Sequence, residues 1–271
     1  MAMSESREAN VSAASAFVAD AARQGARIVV LPELFADRYF PQRMDQERYG
    51  LAEPVGGGLT TAMQEMARSS DVTLVGGLYE RAGEGLLFNT SLCIAPGGEI
   101  VAKYRKVHIP HGPGYEEKYY FTPGDLGFRV AETADAKVGL AICWDQWFPE
   151  TGRALGLGGA ELVVFPTAIG DEPTDPGLST LEAWQTACRA QALFNQVFVA
   201  AVNRIGTEEV LTFYGGSFLC DPWGRILVDA GDGQGAFVAD CDLSVIREAR
   251  GLFQFYRDRR PETYGPLVSP S

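Results

Sequence analysis

What most narrows the fold of this chain is an alternation. Short apolar runs, too brief to be buried helices, stand between longer segments of helical periodicity from one end to the other. Val138 to Ile142, the stretch over 161–166 and Val197 to Val202 are near-continuous runs rich in Val, Ile and Ala. Such runs read as buried strands. Between them, residues 5–24 place Val11, Ala14, Phe17, Val18 and Ala21 at helical spacing, with Gly25 as a stop. Residues 59–70 and 178–196 read as further helices. Strands are expected at 27–32, 72–79, 87–95, 100–104, 138–142, 161–166, 197–202, 214–221, 226–230 and 236–240. Turns are expected at Gly83 and Gly85, at 96–98 and at 222–224. Residues 34–58 and 106–130 are long irregular excursions. No linker or composition break interrupts the pattern, so residues 1–271 read as one layered α/β domain. The charged, proline-bearing tail over 255–271 reads as a C-terminal arm.

Composition excludes several classes. The formal net charge is −12, with a pI near 4.7, which argues against nucleic acid or an anionic membrane as partner. Five dispersed cysteines without a CxxC pair suit a reduced compartment rather than a disulfide framework. No apolar run is long enough to span a bilayer, and the first residues lack the apolar core of a signal peptide. The expected location is cytoplasmic.

Within the pattern, Cys143 follows the 138–142 strand and precedes Pro149, a residue suited to the first position of a helix, with Glu150 in the first turn. A strand, a cysteine, a turn and a helix in that order form a nucleophile elbow analogous to that of serine hydrolases. Most free cysteines are instead small buried hydrophobes, and this segment taken alone is compatible with either. A nucleophilic thiol needs a base and an oxyanion donor. The chain has two histidines, His108 and His111, and a Cys–His enzyme stays open, although no Asn or Asp is evidently placed to orient either. The better-placed base is Glu33, at the carboxyl end of the 27–32 strand, where open α/β sheets keep their crevices. A carboxylate against apolar walls holds a proton more readily, which suits exchange with a thiol. Lys106 could stabilise an oxyanion, and Glu117, set among aromatics, could orient it. In isolation each reads equally as an ordinary surface or strand-end charge.

Taken together, the segments Leu31–Pro32–Glu33, Tyr104–Arg105–Lys106, Glu117 to Phe121 and Cys143–Trp144–Asp145 resemble, in order, the nitrilase (carbon–nitrogen hydrolase) superfamily. The resemblance covers the chain from about residue 5. It implies an αββα sandwich that dimerises into a four-layer block, a homo-oligomer, and a thiol mechanism without metal or organic cofactor. In it Glu33 is the general base, Cys143 the nucleophile, Lys106 and the backbone N–H of Trp144 the oxyanion donors, and Glu117 the supporting carboxylate.

Within that superfamily, residues 143–150, residues 108–115 and the 167–173 loop are similar to the N-carbamoylputrescine amidase family. This implies hydrolysis of a small carbamoyl amine to putrescine, CO2 and ammonia, with Glu172 meeting the substrate ammonium and His111 and Tyr115 lining the pocket. The chain departs from the family's pattern at two places. His111 stands where the family has Asp, which leaves room for another N-carbamoyl amine, an N-carbamoyl amino acid or an ω-amide. The usual first strand is also missing ahead of the first helix, which is expected to expose a sheet edge. A catalytically impaired assembly subunit is the alternative of a different class.

Overall fold

A computed structural model describes residues 1–269; the last two residues of the expected arm, 270 and 271, lie outside the described residues. Two helices open the fold, α1 (Arg7–Arg23) and α2 (Gly58–Ser70), and they pack on a four-stranded sheet. That sheet contains β1 (Ile28–Val30), β2 (Thr73–Gly83), β3 (Leu86–Ile94) and β4 (Ile100–Arg105), in that order, with β1 parallel to β2 and the rest antiparallel. After the four-residue α3 (Glu117–Tyr120) come β5 (Arg129–Glu132), β6 (Lys137–Leu140), α4 (Pro149–Leu157), β7 (Leu162–Pro166), α5 (Leu181–Asn195) and β8 (Phe198–Val202). A hairpin of β9 (Ile205–Glu208) and β10 (Leu211–Tyr214) follows, then β11 (Phe218–Cys220), β12 (Ile226–Asp229) and α6 (Ser244–Leu252). The second sheet runs β12-β11-β8-β7-β6-β5, with β6, β7 and β8 parallel at its centre.

The strand side chains show how the layers stack. Leu74, Leu92 and Ile94 point at Ala14 and Val18 of α1 and at Met63, Met66 and Ala67 of α2. Their alternates Val75 and Cys93 meet Val138, Leu140, Leu162, Val164 and Phe198 of the other sheet. On the far side Val163, Phe165, Val199 and Ala201 pack under Leu155 of α4 and Trp184, Cys188 and Ala192 of α5. This is helix, sheet, sheet, helix. Because both faces of each central strand are covered, period-2 alternation gives way to unbroken apolar runs.

Three expectations need correction. The 205–214 segment is a separate hairpin, where the sequence reading assigned nothing before a strand starting at 214. Residues 244–252 are helical, with Ile246 and Ala249 buried, and had been passed over. Residues 236–240 form no strand. The physical reason for the last lies next to β1, which pairs with β2 alone and leaves its other edge open. That edge and residues 235–241 line one apolar cavity of about 490 Å³, closed by Leu162, Phe198, Ala200 and Leu219. A strand needs a ladder partner, and across this gap residues 236–240 have none. The outer edge of β1 is thus open along this slot. The tail is largely exposed, in two single-turn helices, and is tied down where the Tyr256 hydroxyl donates to Asn195 O at 2.6 Å. Among the described residues no helix is long and apolar enough to cross a membrane.

Candidate active site

The site forms where the carboxyl ends of β1, β4 and β6 converge. β1 delivers Glu33 through Leu31 and Pro32, and the next residue, Leu34, takes a positive φ of 49° that turns the chain sharply. β4 delivers Lys106, whose N–H bonds Asn89 O at 2.9 Å and continues the β3–β4 ladder by one step. β6 leads to Cys143, which opens a 3-10 turn over Cys143–Trp147 with φ 43°. A left-handed φ on a residue with a Cβ is uncommon and costs energy that the surroundings must offset. The buried Asp145 supplies that support. Its Oδ2 accepts from Ile142 N–H at 3.0 Å and from Tyr104 Oη at 2.8 Å, and its Oδ1 accepts from His108 N–H at 3.0 Å. Pro149 then starts α4 as the sequence predicts.

Glu33, Lys106 and Glu117 are all fully buried or nearly so. Lys106 Nζ lies 2.7 Å from Glu33 Oε1, and 2.9 and 2.7 Å from the two oxygens of Glu117. Asn89 Nδ2 donates to Glu33 Oε1 at 2.7 Å, and Tyr39 Oη donates to Glu117 Oε1 at 2.7 Å. Glu33 Oε2 is buried and has no partner among the described residues; one carboxylate oxygen is anchored and the other is left for chemistry. Burial alone would discharge Lys106, but Glu117 and Glu33 outweigh it and hold the ammonium above its usual range. Burial pushes the Glu117 carboxyl up to about 7, against the pull of Lys106. The Cys143 thiol, 5% exposed, is pushed well up by burial and then by the Glu33 charge. Trp144 occupies the second position of the turn, where a backbone N–H has no acceptor within the turn; its indole is partly exposed against Trp147.

The substrate-side residues are less tightly gathered. Tyr115 packs on Tyr39, with ring centroids 6.0 Å apart; its hydroxyl accepts from Gly170 N–H at 3.0 Å and donates to Asp171 O at 3.2 Å. Glu172, next along that loop, is partly buried, and its carboxyl is raised by burial and by Asp171 and Asp175. Burial raises the hydroxyls of Tyr115 and Tyr214, and the charges of Glu172 and Cys143 add to both. Cys143 Sγ lies 3.9 Å from Ala168 O, so the stretch that carries the Tyr115 contacts and Glu172 begins beside the thiol. His111 is about half exposed and turns to Glu116, with Nδ1 3.1 Å from Oε2, and the structure does not bring it into the buried cluster. His108 stacks on Phe148 at 3.7 Å and places Nδ1 2.8 Å from Asp145 Oδ1. So an aspartate does meet a histidine here, contrary to the sequence reading, but the pair supports the turn beneath Cys143. Sequence reasoning gave no role to Tyr39, Asn89 or Tyr214, or to Asp145 although it closes the Cys143–Trp144–Asp145 motif, because what each bonds lies elsewhere in the chain.

The carbon–nitrogen hydrolase family model matches residues 1–251. The chain is 43% identical to the N-carbamoylputrescine amidase of Solanum lycopersicum, over 96% of this chain and 90% of that protein. It is 38% identical to a citrullinase of Francisella tularensis, over 93% and 90% respectively. Among solved structures, a carbon–nitrogen hydrolase from Helicobacter pylori G27 superimposes with a TM-score of 0.94 at 34% identity, covering 99% of this chain and 96% of that one.

Proposed function

The chain belongs to the carbon–nitrogen hydrolase family and is a hydrolase of linear amide C–N bonds; from that premise we propose that it cleaves N-carbamoylputrescine by a Glu33–Lys106–Cys143 mechanism. Glu33 Oε2 takes the thiol proton as Sγ attacks the carbamoyl carbon. The oxygen of that carbonyl gains charge and is held by Lys106 and the Trp144 N–H. The C–N bond to the diamine breaks, and the leaving nitrogen takes the proton from Glu33. Water, deprotonated by Glu33, then attacks the S-carbamoyl carbon, the C–S bond breaks and the thiol regains its proton. The carbamic acid released falls to CO2 and ammonia. Glu117 keeps Lys106 charged and aimed throughout.

The observation that supports the substrate class is the acidic 171–175 loop: it continues from the Gly170 and Asp171 backbone bonded by the Tyr115 hydroxyl, two residues after Ala168, whose carbonyl lies 3.9 Å from Cys143 Sγ. A carboxylate there suits a free ammonium at the far end of a substrate. Citrulline is the same carbamoyl amine with an added α-carboxylate, and Glu172 would repel it. The relative named citrullinase makes this the second reading to be tested.

The test is ammonia release from N-carbamoylputrescine, citrulline and N-carbamoyl-β-alanine, with Cys143→Ala as control. We expect turnover of the diamine derivative to dominate, and Glu172→Gln to raise its KM while narrowing the preference over citrulline. A preference for citrulline in the unmodified protein would replace the proposal with the second reading. Folded protein that releases nothing, with Cys143 no more readily alkylated than the other four cysteines, would leave the impaired subunit.

A further inference from the structure

A second buried ion pair, which the mechanism above does not use, contacts the backbone of Glu33. Arg204 follows β8, Glu208 ends β9, and their side chains are 0% and 2% exposed. Arg204 Nη1 meets Glu208 Oε1 at 2.9 Å. Its Nη2 donates to Glu33 O at 2.6 Å and to Leu34 O at 3.1 Å, and its Nη1 also reaches Asp37 O at 3.3 Å. Glu208 Oε2 accepts the backbone N–H of Tyr39 at 2.6 Å. The guanidinium lies beside the rings of Tyr39 and Phe213, 5.7 and 5.3 Å from their centroids. A single pair thus grips the backbone of the residue bearing the unpaired Glu33 oxygen and, through Tyr39, the residue that bonds Glu117.

The grip has a physical purpose. Leu34 is held left-handed, and neither strand ladder nor helix fixes the segment after β1. A buried carbonyl left without a donor is destabilising; here Nη2 holds Glu33 O and also reaches Leu34 O, which accepts the Asp37 N–H as well, while Nη1 of the same planar group holds Glu208 and Asp37 O. Arg supplies such a two-nitrogen grip and Lys does not. A buried ion pair is weak support for stability, since its desolvation offsets its attraction. We propose that Arg204 and Glu208 are positioning residues: they set the Glu33 carboxylate against Cys143 and hold Tyr39 on Glu117. This rests on Glu33 being the base that takes the Cys143 proton.

The experiment separates positioning from stability. Arg204→Met alone leaves Glu208 unpaired and is expected to lower Tm. Arg204→Met with Glu208→Gln removes both charges, keeps an acceptor for Tyr39 N–H, and is expected to recover most of that Tm. In the double variant, alkylation of Cys143 by iodoacetamide is expected to slow roughly 10- to 100-fold. kcat for ammonia release should fall in parallel, with KM little changed. Arg204→Lys, which keeps the charge but not the fork, should lie between the double variant and the native protein. Native rates in a double variant of native Tm would overturn the proposal, as would full rates in Arg204→Lys should the double variant not fold. Glu33→Gln is run beside them. If it alkylates as fast as the native protein, the base assignment itself is wrong. If it is slow while the double variant is fast, only the positioning role is lost.

Discussion

At the scale of single residues, the site is a set of short contacts to groups buried out of water. Tyr39 Oη and Asn89 Nδ2 each donate to a carboxylate at 2.7 Å. A hydrogen bond to a charged group contributes about 1.5–3 kcal/mol, so Tyr39→Phe should lower kcat/KM by roughly 10-fold or more without unfolding the protein, as steady-state kinetics beside a melting curve would record. The pH profile follows from Glu117. Burial raises its carboxyl to about 7, so as pH falls through that region it takes a proton and ceases to anchor Lys106. kcat/KM is expected to drop on the acid side there, and Glu117→Gln, which cannot ionise, should lose both most of the rate and that acid limb. A profile flat from pH 8 to about pH 6 would show that the charge on Glu117 is dispensable. Glu33, Lys106, Glu117 and Cys143 were nameable in advance because each stands at a strand end or in an ordered motif. Tyr39 and Asn89 were not, since a Tyr in an irregular loop and an Asn inside a strand look the same whether or not a carboxylate waits across the fold.

At the scale of elements, the turn after β6 and the end of β4 are what hold Cys143 and Lys106 in place. Gly124 N–H bonds Lys106 O at 2.7 Å, and a Cβ on Gly124 would lie 2.0 Å from Arg105 O. That oxygen belongs to the backbone and cannot swing aside. Gly124→Ala should therefore displace the Lys106 segment, lowering Tm by about 3–10 °C and kcat by more than that loss explains; unchanged melting and kinetics would mean that the loop yields freely. The strand ending at Cys143 and the helix opening at Pro149 were legible because proline, glycine and apolar runs act locally. The hairpin of β9 and β10 was not, because its strands carry mixed residues and owe their shape to contacts such as Gln42 Oε1 with the N–H groups of Val210 and Leu211.

At the scale of the whole molecule, the sheet that carries Lys106 is clasped by one acidic residue. Glu80 on β2 accepts from Thr90 on β3 and from Lys103 and Arg105 on β4. Burial would raise its carboxyl, but the hydrogen bonds from Arg105, Thr90 and Lys103 win and lower it to about 2. A depressed carboxylate contributes stability above its unfolded value near 4.5 and loses it as pH falls toward about 2. Glu80→Gln should lower Tm at about pH 7 and shrink the Tm difference between about pH 7 and about pH 3; an undiminished difference would place the acid sensitivity elsewhere. By itself the sequence determined the layered α/β class and the order of most strands and helices, and its ordered motifs, through their likeness to a known family, singled out Glu33, Lys106, Glu117 and Cys143. Apolar periodicity, turn residues and strand-end positions are local properties, written within a few residues of where they act. Only the tertiary structure decided that residues 236–240 lack a ladder partner, that His111 turns to Glu116 at the surface, and that Arg204 reaches across 170 residues of sequence to the carbonyl of Leu34. Each of those depends on what lies opposite in space, and burial in a low-dielectric interior turns such a meeting into a strong interaction only after the chain has folded.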